Sequence, residues 1–456
     1  MKNLSRRSFI TRTSAAAAGA LMVPLAVRCG ARSGTQANDK INIAVIGVGG
    51  QGLANLQDCT AENVVALCDV SETAAAEAFK QFPEAKRFKD FREMFDKMAK
   101  DIDAVIIATP DHTHFPAAMA AMQLGKHVCV EKPLAHNVWQ LRTLRKAATH
   151  YNVITQMANQ GHATVGIRYV KEWYEADVLG NVKEVIAWFD GPDFNPKGYF
   201  LKPDNYPPME EPVPEGLDWD LWLGPQAFRP YSHFYIPRFW RGWYDLGNGE
   251  LGDWACHTLD APFWSLDLGM PVSVDCLSKT PTPDGFVPDQ SILSFEFAAR
   301  GTKPPVTLKW YEGGLKPENR PEWELEELPG SGMIMVGDKV SLMTGGRPNE
   351  PKLLLPEEDW KSFMENKPAE TIPRVEGGPR AEWIAAIKGT GPMPGSVFEY
   401  SARLTEMSLI GVLAQRLNTR IEYDAESMKV TNHEGYDVYI KEPVRKGWEY
   451  GEELWT

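Results

Sequence analysis

The feature that most constrains the fold is a glycine turn set between a strand and a helix. Ile41-Asn42-Ile43-Ala44-Val45-Ile46 is a short β-branched apolar run. It ends at Gly47-Val48-Gly49-Gly50-Gln51-Gly52, and a helical pattern opens at Leu53. In this G-x-G-x-x-G spacing the first glycine allows a tight turn and the second lets backbone amides approach a pyrophosphate. The third lets the helix pack closely on the strand. The helix start then presents unpaired N–H groups and a partial positive charge to the phosphates. A second buried strand, Val64-Val65-Ala66-Leu67-Cys68, ends at Asp69, about twenty residues on. A carboxylate there accepts from the adenosine ribose hydroxyls and repels a 2′-phosphate. Gly47, Gly49, Gly50, Gly52 and Asp69 are therefore expected to bind NAD in preference to NADP.

The periodicity extends this start into an α/β domain. Ser71 can cap a helix that carries alanines from Ala74 to Ala78. Another strand-to-helix passage runs from Phe88 to Phe95, and Asp103–Ala108 and His127–Val130 are further buried strands. Strands alternating with helices imply a parallel sheet covered on both faces. The pattern changes after about Asn159. A helix over 166–176 leads to a strand over 182–189, and a Pro- and aromatic-rich stretch fills 191–246. Alternating segments at 272–277, 292–298, 306–311 and 333–342 read as strands of a half-exposed, largely antiparallel sheet. Helices return at 380–387 and 400–417, the latter with a core-facing stripe at Leu404, Met407, Leu409, Ile410 and Leu413. The 456 residues suffice for two cores. The expected organisation is a signal and linker over 1–39, an NAD-binding Rossmann domain over 40–158, and a substrate and oligomerisation domain over 159–456. This second domain is α+β, built on a largely antiparallel open sheet, with an aromatic-rich insert at 190–246.

The first forty residues read as an address. Ser5-Arg6-Arg7-Ser8-Phe9-Ile10 is a twin-arginine signature, a weakly apolar run follows from Ala15 to Val27, and Thr35-Gln36-Ala37 offers a small-residue cleavage site. The apolar run is too short to span a bilayer permanently. Leu25-Ala26-Val27 precedes Cys29 as in a lipid-attachment motif, but Arg28 stands where such motifs carry a small residue, so a plain cleaved signal is favoured. Export to the periplasm is expected. No later segment reaches the ~18 apolar residues of a membrane helix. The net charge of −13 repels phosphate backbones and anionic lipid, which sets nucleic acid aside as a partner. Cys59, Cys68, Cys129, Cys256 and Cys276 show no C-x-x-C spacing. They read as reduced core residues, and no metal site is expected.

Three further stretches carry chemistry. Ala108-Thr109-Pro110-Asp111-His112-Thr113-His114 and Val130-Glu131-Lys132-Pro133 follow buried strands, at the carboxyl edge where a Rossmann sheet binds ligands. Thr109, Pro110, His114, Glu131 and Lys132 are expected at the cofactor. In Gly252-Asp253-Trp254-Ala255-Cys256-His257-Thr258-Leu259-Asp260, Asp253 and His257 are four apart and share a face if the segment is helical. The glycine loop, the Thr-Pro-Asp-His-Thr-His run, the Glu-Lys-Pro tripeptide and the Asp-x-x-x-His element together resemble the glucose–fructose oxidoreductase / inositol dehydrogenase (Gfo/Idh/MocA) family, from about Ile41 to the C-terminus. The resemblance implies that Lys132 lies in the active site beside the nicotinamide. It further implies that His257 and Asp253 are the acid/base histidine and its neighbouring carboxylate, and that Pro133 is cis. It implies pairing through the open face of the second sheet, as a dimer or tetramer. The chemistry agrees: oxidising a carbinol releases a proton that needs a base, and a lysine ammonium stabilises the developing alkoxide.

The chain departs from better-known members in two places. After the strand near Ile154 it reads Met157-Ala158-Asn159-Gln160-Gly161-His162, where His162 is either a substrate contact or acid/base group, or a cap. The insert interleaves Trp219, Trp222, Tyr231, Tyr235, Trp240 and Trp243 with Arg229, Arg238 and Arg241. Leu217–Pro225 reads as a structural clasp, and Trp240 and Arg241, close in sequence to Asp253, as a sugar-stacking and hydrogen-bonding pair. The insert resembles an exported bacterial branch of the family. The function expected is hydride transfer between a sugar or polyol hydroxyl and a tightly bound nicotinamide. Export without free NAD favours a closed redox cycle, by glycoside elimination, epimerisation or exchange between sugars. The alternatives are a simple sugar dehydrogenase with exchangeable NAD and a non-catalytic sugar-binding protein on the same fold.

Overall fold

The computed structural model describes residues 40–456; the twin-arginine signature, Cys29 and the cleavage site lie outside the described residues. Six short strands build the first sheet: β1 (Asn42–Ile46), β2 (Asn63–Cys68), β3 (Lys86–Phe88), β4 (Ala104–Ile107), β5 (His127–Val130) and β6 (Thr155–Met157). All pairings are parallel, in the order β3-β2-β1-β4-β5-β6. The strands are nearly continuous apolar runs because helices cover both faces. The order reverses between β1 and β4, the kind of switch point where such sheets bind ligands at the carboxyl ends of their strands. Ser71 does cap its helix, accepting from the Ala74 amide.

The second sheet holds nine strands: β7 (Val182–Trp188), β8 (Ser273–Lys279), β9 (Ser291–Phe297), β10 (Val306–Glu312), β11 (Gly332–Gly337), β12 (Leu342–Thr344), β13 (Lys352–Leu353), β14 (Arg420–Asp424) and β15 (Lys429–Val430). Their order is β13-β12-β11-β7-β10-β9-β8-β14-β15, with only β7 and β10 parallel. The single strand expected over 333–342 is a hairpin, β11 to β12. It reverses after Gly337, where Asp338 Oδ1 accepts from the Asn181 amide at 2.9 Å. Short polar residues after a glycine favour such a reversal. The helix Phe398–Leu417 joins the two halves, packing on the Rossmann helix Val138–His150, on the helix Gly249–Thr258, and on β8 and β9. Its stripe residues Leu404, Met407, Leu409, Ile410 and Leu413 are buried. At this seam Arg142 reaches the fully enclosed Glu406, which also accepts from Tyr423 Oη at 2.9 Å.

The insert is fastened, not loose. Trp219 stacks on Trp222 with ring centroids 4.7 Å apart, and Tyr231, Tyr235, Trp243 and Phe286 continue the cluster. Backbone bonds tie its clasp to the Rossmann domain, from the Asp218 amide to Val70 O and from the Glu72 amide to Gly216 O. Cys59, Cys68, Cys129 and Cys256 are free and buried, and Cys276 is half-buried. Among the described residues no helix is long and apolar enough to cross a membrane.

Candidate active site

The glycine turn fits a dinucleotide. Gly47 has φ +78°, and a Cβ there would stand 2.7 Å from Ala108 O; at Gly52 a Cβ would stand 1.9 Å from Gly47 O. Only glycine permits this turn and this approach of helix to strand. A Cβ placed on Gly50 would meet nothing within 4 Å, so that side of the turn faces open space. Asp69 ends β2 and bends back to the turn, accepting from the Val48 and Ser71 amides at 2.9 Å each. Burial pushes its carboxyl up, while the Ser71, Val48 and Gly49 amides pull it back. When bound, NAD supplies the hydride acceptor; the protein's part is to seat it and to manage the proton.

Two residues expected at the cofactor do structural work. His114 is buried, with ring nitrogens 2.8 Å from both Pro133 O and Thr109 O, so it ties the loop after β4 to the turn after β5. Burial pushes its imidazole down to about 4. Glu131 is buried and accepts from Asn55 Nδ2 at 2.9 Å, which holds the helix Gln51–Gln57 to the end of β5. Thr109 and Pro110 lie just past β4, after Ala108, and Thr109 Oγ1 is enclosed without a partner. The Lys132–Pro133 peptide is cis.

Lys132 and Asp253 meet across the two halves. Lys132 Nζ lies 2.7 Å from Asp253 Oδ1 and 3.1 Å from Asp253 O. Arg241 Nε adds a contact to Oδ1 at 3.3 Å. The segment carrying Asp253 is a helix, Gly249–Thr258, so Glu250, Asp253, Trp254 and His257 form one stripe. Burial opposes the Asp253 charge, but the Lys132 and Arg241 cations hold its carboxyl well below the usual range. Burial, then the Asp253 and Glu312 carboxylates, push the Glu250 carboxyl well above its ordinary value.

His257 is 1% exposed and its Nδ1 has no partner. Burial, then the Lys132 and Arg347 cations, push its imidazole well below the ordinary value. In that environment the ring is a weaker base than a solvated histidine. Trp254 packs edge-on against it at 5.4 Å and stacks on Phe189 at 3.9 Å.

Arg241 faces the pair, and Trp240 packs against its guanidinium. The Arg241 guanidinium lies 4.2 Å above the Trp240 ring, and the Gly247 backbone closes in as well, so the stacking face expected of Trp240 is taken. The neighbouring ring that faces solvent is Tyr199, 53% exposed and 4.9 Å from Arg241. His162 is buried and is no cap: its Nδ1 lies 3.0 Å from Asp260 Oδ1, and the same carboxyl accepts from Tyr400 Oη and from Asn159 Nδ2. Asp260, Tyr400, Glu250 and Asp111 also stand at this site and were not anticipated from the sequence. Glu250 was legible through its i, i+3 spacing to Asp253; the others have no local signal beyond lying beside motif residues.

The glycine turn at the end of β1 and the Lys132–Asp253 pair are the arrangement of a two-domain, dinucleotide-dependent oxidoreductase. Residues 41–159 match the oxidoreductase family with an NAD-binding Rossmann fold, and residues 163–294 match the C-terminal alpha/beta domain of the same family. The two matches take in more than half of the chain, which belongs to the Gfo/Idh/MocA oxidoreductase family. It is 28% identical over 195 residues to a levoglucosan dehydrogenase of Pseudarthrobacter phenanthrenivorans, covering 42% of this chain and 40% of that protein. It is 30% identical over 170 residues to an alpha-N-acetylgalactosaminidase of Shewanella oneidensis, covering 31% and 37%. The chain thus spans about two fifths of the length of these relatives. Among solved structures, the WlbA dehydrogenase of Bordetella pertussis, in complex with NADH and UDP-GlcNAcA, superposes with TM-score 0.59 at 17% identity, over 84% of this chain and 99% of that one. Levoglucosan dehydrogenase in complex with NADH and levoglucosan gives 0.55 at 19%, over 84% and 99%. At these identities the likeness is one of fold.

Proposed function

We propose that this protein oxidises a CH–OH group of a sugar or glycoside with NAD as hydride acceptor. The carrying observation is the 2.7 Å contact between Lys132, which follows a Rossmann strand, and Asp253 on a helix of the other half, with His257 one turn further on. In this reading Asp253 and Arg241 fix the lysine, and Lys132 steadies the developing alkoxide. His257 accepts the hydroxyl proton. Arg241, Tyr199 and the His162–Asp260–Tyr400 cluster shape the sugar pocket.

The finer reading is a closed redox cycle on a retained cofactor, in an exported homo-oligomer, dimer or tetramer. It is supported by the twin-arginine signature and by relatives that include both a dehydrogenase and a glycosidase. The test is purification without added nucleotide, followed by absorbance at the NADH band with levoglucosan, N-acetylgalactosaminides and simple hexoses. Co-purified NAD(H) with no net NADH on turnover supports the cycle. Apoprotein that accumulates NADH steadily makes the chain a simple dehydrogenase, and tight sugar binding without turnover defeats the enzymatic reading. Replacing Arg6 and Arg7 by Lys should retain the protein in the cytoplasm if the export reading is right.

A further inference from the structure

The aromatic insert is fastened to the Rossmann domain at a place that bears on the cofactor. On the β2 side the Asp218 amide donates to Val70 O at 2.9 Å, and the Glu72 amide donates to Gly216 O at 3.0 Å. Leu217, between these bonds, pairs with Ser71 in an antiparallel bridge. The Ser71 amide donates to Asp69 Oδ1 at 2.9 Å, and Asp69 Oδ2 accepts from the Val48 amide of the glycine turn. An unbroken line of contacts therefore runs from the glycine turn through Asp69 to the insert.

On the β4 side the insert reaches the first turn of the helix Asp111–Gln123. The His112 ring nitrogens lie 2.9 Å from Trp222 O and 3.1 Å from Leu246 O, and a Cβ on Gly224 would stand 2.8 Å from Thr113 Cγ2. In the sheet β1 lies between β2 and β4. The span 216–224 is thus pinned on both sides of β1 along the carboxyl edge, where β1 delivers the glycine turn and where a Rossmann sheet seats its dinucleotide.

The two fastenings differ in strength. Arg445 grips the Gly224 end: its Nε donates to Gly224 O at 2.8 Å, its amide donates to Pro225 O at 2.9 Å, and its guanidinium pairs with Asp220. The stacked rings of Trp219 and Trp222 lie in the same stretch. The Gly216 end has only the two backbone bonds and the Ser71 bridge. Residues 212–215 leading to it are exposed, and so is the neighbouring Lys89–Glu72 ion pair. A few backbone bonds close to water are the first to give way in local opening.

We propose that residues 212–218 are a latch over the adenosine half of the NAD site, hinged at Trp219–Gly224, and that its opening sets the rate of cofactor exchange. The latch rests on the NAD-dependent reading above. Closed, it stands beside Asp69, the carboxylate suited to the adenosine ribose. It opens by giving up the Val70 and Glu72 bonds while the Arg445 end holds. A latch of this kind slows entry and exit alike, which is what keeps a cofactor bound through many turnovers.

The test is stopped-flow fluorescence of NADH binding and release on the full chain, which needs no sugar. Glu72 is the first residue of its helix, a position that tolerates proline, and Ser71 before it is extended, as a residue preceding proline is. Glu72→Pro therefore removes the bond to Gly216 O and leaves the helix. NADH release and association should both become about tenfold faster, with Kd changing less than either rate. Arg445→Ala, at the other end, should act in the same direction, and Glu72→Gln, which keeps the amide, should match the wild type. Unchanged rates in Glu72→Pro and Arg445→Ala overturn the latch; so does faster release at an unchanged association rate, which marks the loss of a static contact. Hydrogen exchange on the wild type decides the matter if the variants fold poorly. Bound NADH should slow exchange of the Glu72 and Asp218 amides, and equal exchange with and without NADH overturns the latch. A wild type that binds no NADH defeats the NAD-dependent reading and the latch with it, whereas NADH binding with rates that the variants leave unaltered defeats the latch alone.

Discussion

The aromatic insert and the helix Gly249–Thr258 make opposite impressions in sequence and in space. The insert is the more conspicuous, crowding tryptophans, tyrosines and arginines as a sugar-binding surface does. Yet Trp219, Trp222, Tyr231, Tyr235 and Trp243 stack on one another and are buried, and the cluster holds a long connection onto the Rossmann domain. The helix has one tryptophan and few charges, but its stripe of Glu250, Asp253, Trp254 and His257 meets Lys132. Aromatic density alone therefore does not mark a binding site. A large ring is as useful for fastening a loop as for stacking on a ligand, and burial decides between the two.

This contrast can be broken by experiment. The largest effect is expected from Lys132→Ala, which should lower kcat by about 10³-fold while NAD affinity, read by fluorescence titration, stays. Retained turnover would remove the helix and its partner from the chemistry. Trp219→Ala should act in the opposite sense, costing about 3–5 kcal/mol of stability in chemical denaturation with kcat of the folded fraction unchanged. A large kcat loss in a stable Trp219 variant would return the insert to the site.

A pH experiment sharpens the boundary between the two regions. His112 of the Rossmann domain contacts two insert carbonyls, Trp222 O at 2.9 Å and Leu246 O at 3.1 Å. Burial pushes its imidazole down from 6.5 to about 3. The folded state refuses a proton that the unfolded state takes, so this stability is complete above the unfolded value of 6.5 and is lost as pH falls toward about 3. Stability should fall on acidification through that window by up to about 1.4 kcal/mol per pH unit for this group alone, and His112→Asn should flatten the slope. The smallest effect belongs to the cofactor end. Asp69→Ser should weaken NAD about tenfold and narrow the preference over NADP, with kcat at saturation unchanged.

Much of this was legible in the chain. The strand, glycine turn and Asp69 define a Rossmann start because tight turns and close backbone approaches leave little choice of residue. The alternation of apolar runs with helices then implies the parallel sheet. Asp253 and His257 declared their shared face through a spacing of four. What only the tertiary structure decided is which side chains lose water. The long helix Phe398–Leu417 helps enclose one small cavity that His136, Asn248 and Glu442 line from three distant stretches, and burial resets the proton affinities of Asp111 and His257. The same burial gives His114 and Glu131 partners inside the protein and seats the Arg241 cation on the Trp240 ring. Local sequence sets what a residue can do chemically; desolvation and neighbouring charge, which depend on the whole fold, set what it does.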